Sequence, residues 1–223
     1  MTADSKVGRV QFGDFERVVP ISRDCSADRG TPVDRYYVDG FLASHESDIR
    51  GRVLEIGGNT YTKRLGGDRV THAQALIVEP GTSALVQALM EYLVDDSCRF
   101  DCVLLPQTLH FIYNISAAIR STHTVLAPGG VVLATFPGIS QLSPNRDADS
   151  QCWGFTSRSA RLKFEETFSP DSVSVVVRGN VLASIAVMQG LAVGELTANE
   201  LDHVDPAYEV IIGVRASRTT HPA

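Results

Sequence analysis

Apolar residues fall into two rhythms along this chain. Behind Pro32, which suits a helix start, Val33, Tyr37, Phe41 and Leu42 recur on one helical face. Short runs then follow at 52–56, 75–79, 102–106 and 131–136, mostly apolar on both alternations, as in strands covered on both faces. Between and after them the pattern predicts helices. One spans 114–126, opening on capping residues and halted by Pro128-Gly129-Gly130. A second spans 156–168, with Phe155, Ala160, Phe164 and Phe168 near helical spacing, and a third begins at Val181. Residues 172–177 and 209–214 read as strands, and Thr197-Ala198-Asn199-Glu200 reads as a capping box. Residues 82–94 fit either a short strand or part of a helix. Alternating β and α elements predict an α/β fold, a mostly parallel sheet with helices on both faces.

A chain of 223 residues supports a full core without disulfides or metals. Apolar residues make up 43% and charged residues 21%, which excludes a disordered chain. The net charge of −6 argues against a nucleic-acid groove. Cys25, Cys98, Cys102 and Cys152 form no CxxC pair and lack zinc spacing, so four reduced thiols and no metal site are expected. The start, MTADSK, has no apolar core of a secretory signal. The longest apolar stretch, 181–194, is too short to span a bilayer and is broken by Ser184 and Gln189. The expectation is a soluble, cytoplasmic protein without membrane contact. Because residues 181–191 are apolar nearly all round, that helix is expected to be buried, in a lid or at a homodimer contact.

In open α/β sheets ligands bind beyond the carboxyl ends of the strands. That rule selects Glu55-Ile56-Gly57-Gly58, Glu79-Pro80, Pro106 through His110, and Phe136-Pro137-Gly138. Gly57-Gly58 lets the backbone approach a ligand closely. Glu79 follows Glu55 by 24 positions, the separation at which a second strand brings a carboxylate to a ribose diol. The fingerprint GxGxxG is absent, which disfavours a nicotinamide oxidoreductase, and Gly66-Gly67 reads as a helix stop.

The ordered set Arg52-Val-Leu-Glu-Ile-Gly57, Leu76-Ile-Val-Glu79-Pro80, residues 100–110 and Val125-Leu-Ala-Pro128-Gly129-Gly130 resembles the class I S-adenosylmethionine-dependent methyltransferases. With Trp153-Gly-Phe155-Thr156 it is most like bacterial members acting on saccharides or secondary metabolites. The resemblance implies a Rossmann-like sheet of seven strands with the last antiparallel, and S-adenosylmethionine as cofactor. It implies a domain over 33–216, preceded by a loosely ordered segment over 1–32 and followed by a tail over 217–223. Acceptor-side insertions would lie at about 140–156 and 180–207. Glu55, Gly57 and Gly58 would approach the methionine moiety, Glu79 and Pro80 the ribose, Leu89 and Met90 the adenine, and Pro106 and Gln107 the pocket beneath the sulfonium. Two departures stand out. Asn59 and Tyr61 occupy positions where the family's loop usually has glycine, and Leu89 stands near the usual adenine carboxylate, with Glu91 displaced.

A hydroxyl or amine acceptor must lose a proton during transfer, and His110, just past its strand, is the candidate base, with packing beneath the next helix as the alternative. His123 reads as structural, and His45, His72 and His203 as surface positions. Trp153 and Phe111 are candidate acceptor contacts, or else a loop plug and a core residue. Of the adjacent Tyr36 and Tyr37, Tyr37 continues the apolar stripe, leaving Tyr36 as the site candidate. The expected activity is methyl transfer to oxygen or nitrogen of a small-molecule acceptor. The alternative is a methyltransferase-fold protein that acts as a binding partner or scaffold.

Overall fold

The computed structural model describes residues 11–24, 26–77, 99–142 and 151–219. Helix α1 (Val33–Ser44) buries Val33, Tyr37, Val38, Phe41 and Leu42, the face that the apolar spacing marks. Strands β1 (Gly51–Ile56), β2 (Val70–Leu76) and β3 (Phe100–Leu105) follow. Helix α2 (Ile115–Val125) starts where Asn114 accepts the Ala117 N–H at 3.1 Å and runs into β4 (Leu126–Pro137). Helix α3 (Ser157–Glu165) opens on a Thr156/Ser159 capping box. Strand β5 (Val173–Arg178), helices α4 (Val181–Gln189) and α5 (Ala198–Asp202), and strand β6 (Ile211–Ser217) complete the chain. Thr197 and Glu200 form the expected capping box at α5.

The sheet order is β2-β1-β3-β4-β6-β5. The β1–β2, β1–β3 and β3–β4 pairs are parallel, and β6 runs antiparallel to both β4 and β5. The described residues thus form six strands, not seven. Strand β2 also begins at Val70 rather than Ala75. It is the edge strand, and Thr71, His72 and Ala73 are exposed, so its first half carries no apolar run.

Both faces of the sheet are packed. On one, Phe136 meets Phe155 and Phe164 of the α3 segment at ring separations of 4.6 and 6.2 Å. On the other, α1 and α4 cover Val53, Leu104 and Leu133. Each such fully buried side chain contributes about 1.5–3 kcal/mol of transfer free energy. Gly213 on β6 is required by close approach, because a Cβ there would come within 2.4 Å of the Phe41 ring. Helix α4, expected to be buried in a lid or at a homodimer contact, is covered on one side within the single chain. Ala183, Ser184 and Ala186 are buried, but Val181, Ile185 and Met188 are 48%, 39% and 46% exposed. A short helix resting on the sheet through one face leaves the opposite face in solvent, whatever its composition.

Residues 22–32, expected from sequence to be loosely held, cross the end of α4. The Ser22 N–H donates to Gln189 O at 3.0 Å and the Val193 N–H to Thr31 O at 2.8 Å. Arg29 grips Glu195 through two hydrogen bonds, and Pro32 bridges Ala192.

Candidate active site

The carboxyl ends of β1, β3 and β4 lie along one edge of the sheet. Gly57 follows β1 with φ +90° and Gly58 with φ +158°, and a Cβ on either would meet nothing within 4 Å. Their freedom fits a turn that keeps space open beside the backbone. Glu55 is buried beneath this loop. Its carboxylate accepts the Tyr61 N–H at 3.1 Å and the Thr62 N–H and hydroxyl at 2.8 Å each. Glu55 therefore fixes the path of residues 57–60 from below. Register Glu55↔Leu104 brings Gly57 beside Pro106.

Gln107 takes φ +49°, a left-handed conformation that a non-glycine residue holds at some cost. Its N–H is anchored on Thr135, by the hydroxyl at 3.0 Å and the carbonyl at 3.2 Å. Its side-chain Nε2 is buried and has no hydrogen-bond partner among the described residues. Such an atom costs about 1–3 kcal/mol until something accepts its hydrogens.

His110 sits in a 3-10 turn, Leu109–Phe111, and is 4% exposed. Its ring lies 3.9 Å from that of Phe111. Gln107, His110 and Phe111 line one cleft of about 500 Å³ with Asp34 and Arg35 of α1 and Val187 of α4. Arg23, Asp24 and Ala27 supply its wall from the 22–32 strap. The volume lies within the usual range for small-molecule sites.

Of the sequence candidates, His110, Phe111 and Gln107 meet in this cleft, and Gly57, Gly58 and Pro106 lie on the same sheet edge. Tyr36 does not join them. Its hydroxyl donates to Asp202 at 2.6 Å, and it lines a separate cleft of about 660 Å³ with Arg64 and Arg178. One residue is about 100° of helix, so while Tyr36 turns to that cleft, Asp34 and Arg35 line the one that holds His110. Trp153 is held as a plug. Its Nε1–H reaches the Ile112 and Tyr113 carbonyls at 3.0 and 3.2 Å, and its backbone N–H donates to His110 O at 3.1 Å. Glu79, Pro80, Leu89 and Met90 lie outside the described residues.

Asp34 was not among the sequence candidates. The signal was an Asp-Arg pair in the first turn behind Pro32, overshadowed by the adjacent tyrosines. Burial pushes its carboxyl above the ordinary range, while Arg35 and the first-turn N–H groups pull the other way. The Arg35 guanidinium donates to the Tyr61 hydroxyl at 2.8 Å, and that hydroxyl donates to Asp39 at 2.8 Å. Tyr61, at a departure from the family's loop, is thereby buried against α1.

Residues 52–134 match the sequence profile of the family described as methyltransferase domain. The matched stretch is 83 of the 223 residues, and over it the chain is similar to a methyltransferase domain. That similarity indicates S-adenosylmethionine as the cofactor. No curated protein matches it. Among solved structures, the N-methyltransferase NodS from Bradyrhizobium japonicum WM9, in complex with S-adenosylhomocysteine, is similar at 14% identity. That match covers 89% of this chain and 96% of NodS, with a TM-score of 0.49. A SAM-dependent methyltransferase from Archaeoglobus fulgidus is 11% identical over 88% of this chain and 95% of its own, with a TM-score of 0.49. The [4+2]-cyclase SpnF is 13% identical over 84% and 82%, also with a TM-score of 0.49. The methyltransferase cofactor fits the site. Gly57 and Gly58 leave open space, and the orphaned Gln107 Nε2 offers a donor. Among the described residues no cluster suits a metal ion, and no helix is long and apolar enough to cross a membrane.

Proposed function

We propose that this methyltransferase acts on an oxygen or nitrogen of a small-molecule acceptor, a saccharide or secondary-metabolite intermediate, bound in the His110 cleft. The observation that carries the reading is the convergence of His110 and Gln107 in one small-molecule-sized cleft at the sheet edge where β1 ends in Gly57. Gly57, Gly58, Pro106 and Gln107 would hold the cofactor, with Glu79, Pro80, Leu89 and Met90 completing its site. When bound, S-adenosylmethionine supplies a methyl group carried on a sulfonium. Glu55 sets the loop that faces it, through the three hydrogen bonds from Tyr61 and Thr62. His110 takes the proton that the acceptor's hydroxyl or amine releases. Phe111 supplies an apolar wall, and the burial of His110, 4% exposed, limits water beside its ring. Most of the rate enhancement then comes from holding the acceptor in line, which rigid strand ends do better than loops.

The scaffold alternative drew on Asn59 and Tyr61 in the glycine loop. Tyr61 is engaged with Arg35 and Asp39 instead of filling the cleft, which favours methyl transfer. Calorimetric titration with S-adenosylmethionine and S-adenosylhomocysteine tests the reading. Micromolar binding, about −8 kcal/mol, is expected. Absence of binding to either ligand would leave the scaffold reading standing.

A further inference from the structure

Asp34 has no work in the account above. It lines the same cleft as His110; among the described residues backbone N–H groups of the first turn, but no side chain, donate to its carboxylate, and the neighbouring Arg35 guanidinium donates to Tyr61. A half-buried carboxylate is stabilised most by a cation brought to it. The other charged groups lining the cleft among the described residues are Arg23, Asp24 and Arg35.

We propose that Asp34 binds the ammonium group of the acceptor, and that the acceptor is a small amine. The inference rests on the methyl-transfer reading and narrows it from oxygen or nitrogen to nitrogen. An ammonium has no free electron pair, so the bound nitrogen gives up one proton before it can accept a methyl group. His110 faces the same cleft and is the group that takes that proton, while Asp34 keeps the molecule in place. A neutral polyol would leave the charge at Asp34 unmet.

The test is equilibrium binding to the full chain loaded with S-adenosylhomocysteine, at neutral pH. The probes are a pool of amino sugars and amino alcohols set against the hydroxy compounds of the same skeletons. The amines are expected to bind about tenfold tighter or more than their hydroxy partners, the advantage of a charge-assisted hydrogen bond over a neutral one. Asp34→Asn should erase that preference while affinity for S-adenosylhomocysteine stays within about twofold, below the ~0.6 kcal/mol of thermal energy. Equal binding of the two pools, or no retention of either, would overturn the proposal without needing the variant to fold. A preference that survives in Asp34→Asn would overturn it as well. Loss of S-adenosylhomocysteine affinity in the variant would instead assign Asp34 to the cofactor. Failure of the wild-type chain to take up S-adenosylhomocysteine would remove the methyl-transfer reading itself.

Discussion

Thr62 gives Glu55 both its backbone N–H and its hydroxyl, each at 2.8 Å to the same carboxylate oxygen. The contact closes the loop that leaves β1 and makes a buried charge part of its architecture. Replacing Glu55 by Ala strands the Tyr61 and Thr62 N–H groups, at a cost of about 1–3 kcal/mol for each unmet group. Urea unfolding should show that loss, and Glu55→Gln, which keeps one acceptor oxygen, should recover part of it. Full stability in Glu55→Ala would mean that water replaces the carboxylate.

His110→Ala should lower turnover by about 10²–10⁴-fold, the range of a lost general base, while leaving S-adenosylhomocysteine binding nearly unchanged. Its ring is packed on Phe111, so a stability measurement should accompany the kinetics. Full activity of the variant from about pH 6 to 9, a range that brackets the histidine titration, would exclude the base role.

Gln107 combines a left-handed backbone with a buried, unpartnered amide nitrogen. Gln107→Gly should remove the conformational strain, worth about 1 kcal/mol, partly offset by the greater freedom of glycine in the unfolded chain. Cofactor affinity should fall at the same time by about tenfold if Nε2 donates to it. A variant that is more stable and binds as tightly as wild type would show the strain to be unrelated to the cofactor.

The strap over α4 should respond to acid. Arg29, the Ala192 N–H and the Arg29 charge hold the Glu195 carboxyl at about 2, well below its ordinary 4.5. With the folded value depressed, this contact's contribution is present above the ordinary value. It fades as pH falls from 4.5 towards 2, because the unfolded or detached strap takes up the proton more readily. Both side chains are substantially exposed, so salt should weaken the contact too. Hydrogen exchange over residues 22–32 should therefore rise in Glu195→Gln at neutral pH. Unchanged protection would leave the backbone bonds at Ser22 and Val193 as the whole attachment.

Legibility from sequence followed burial. The α1 face, the Asn114 cap and the capping boxes at Thr156 and Thr197 depend on neighbours a turn away, so local pattern contains them. The start of β2 was hidden because an edge strand need not be apolar on both sides. The exchange of Tyr36 for Asp34 and Arg35 had a different cause. Spacing showed which side of α1 was buried, but not which part of its polar side overlooks His110. That depends on how α1 lies across the sheet, a long-range matter settled by contacts such as Phe41 on Gly213. Trp153 could not be assigned either, because its anchors, the carbonyls of Ile112 and Tyr113, lie some 40 residues away in the chain.

The cleft draws its walls from two sources. Gln107, His110 and Phe111 belong to the stretch that matches the methyltransferase family, whereas Arg23, Asp24, Asp34, Arg35 and Val187 lie outside it. The lining of one cleft is therefore supplied in part by the matched stretch and in part by segments outside it. Under the proposed reading, changes in the strap or in α4 would alter that lining without touching a strand of the sheet. For this chain, the informative comparisons among relatives are those of residues 22–35, where a shared sheet gives no guide to a shared substrate.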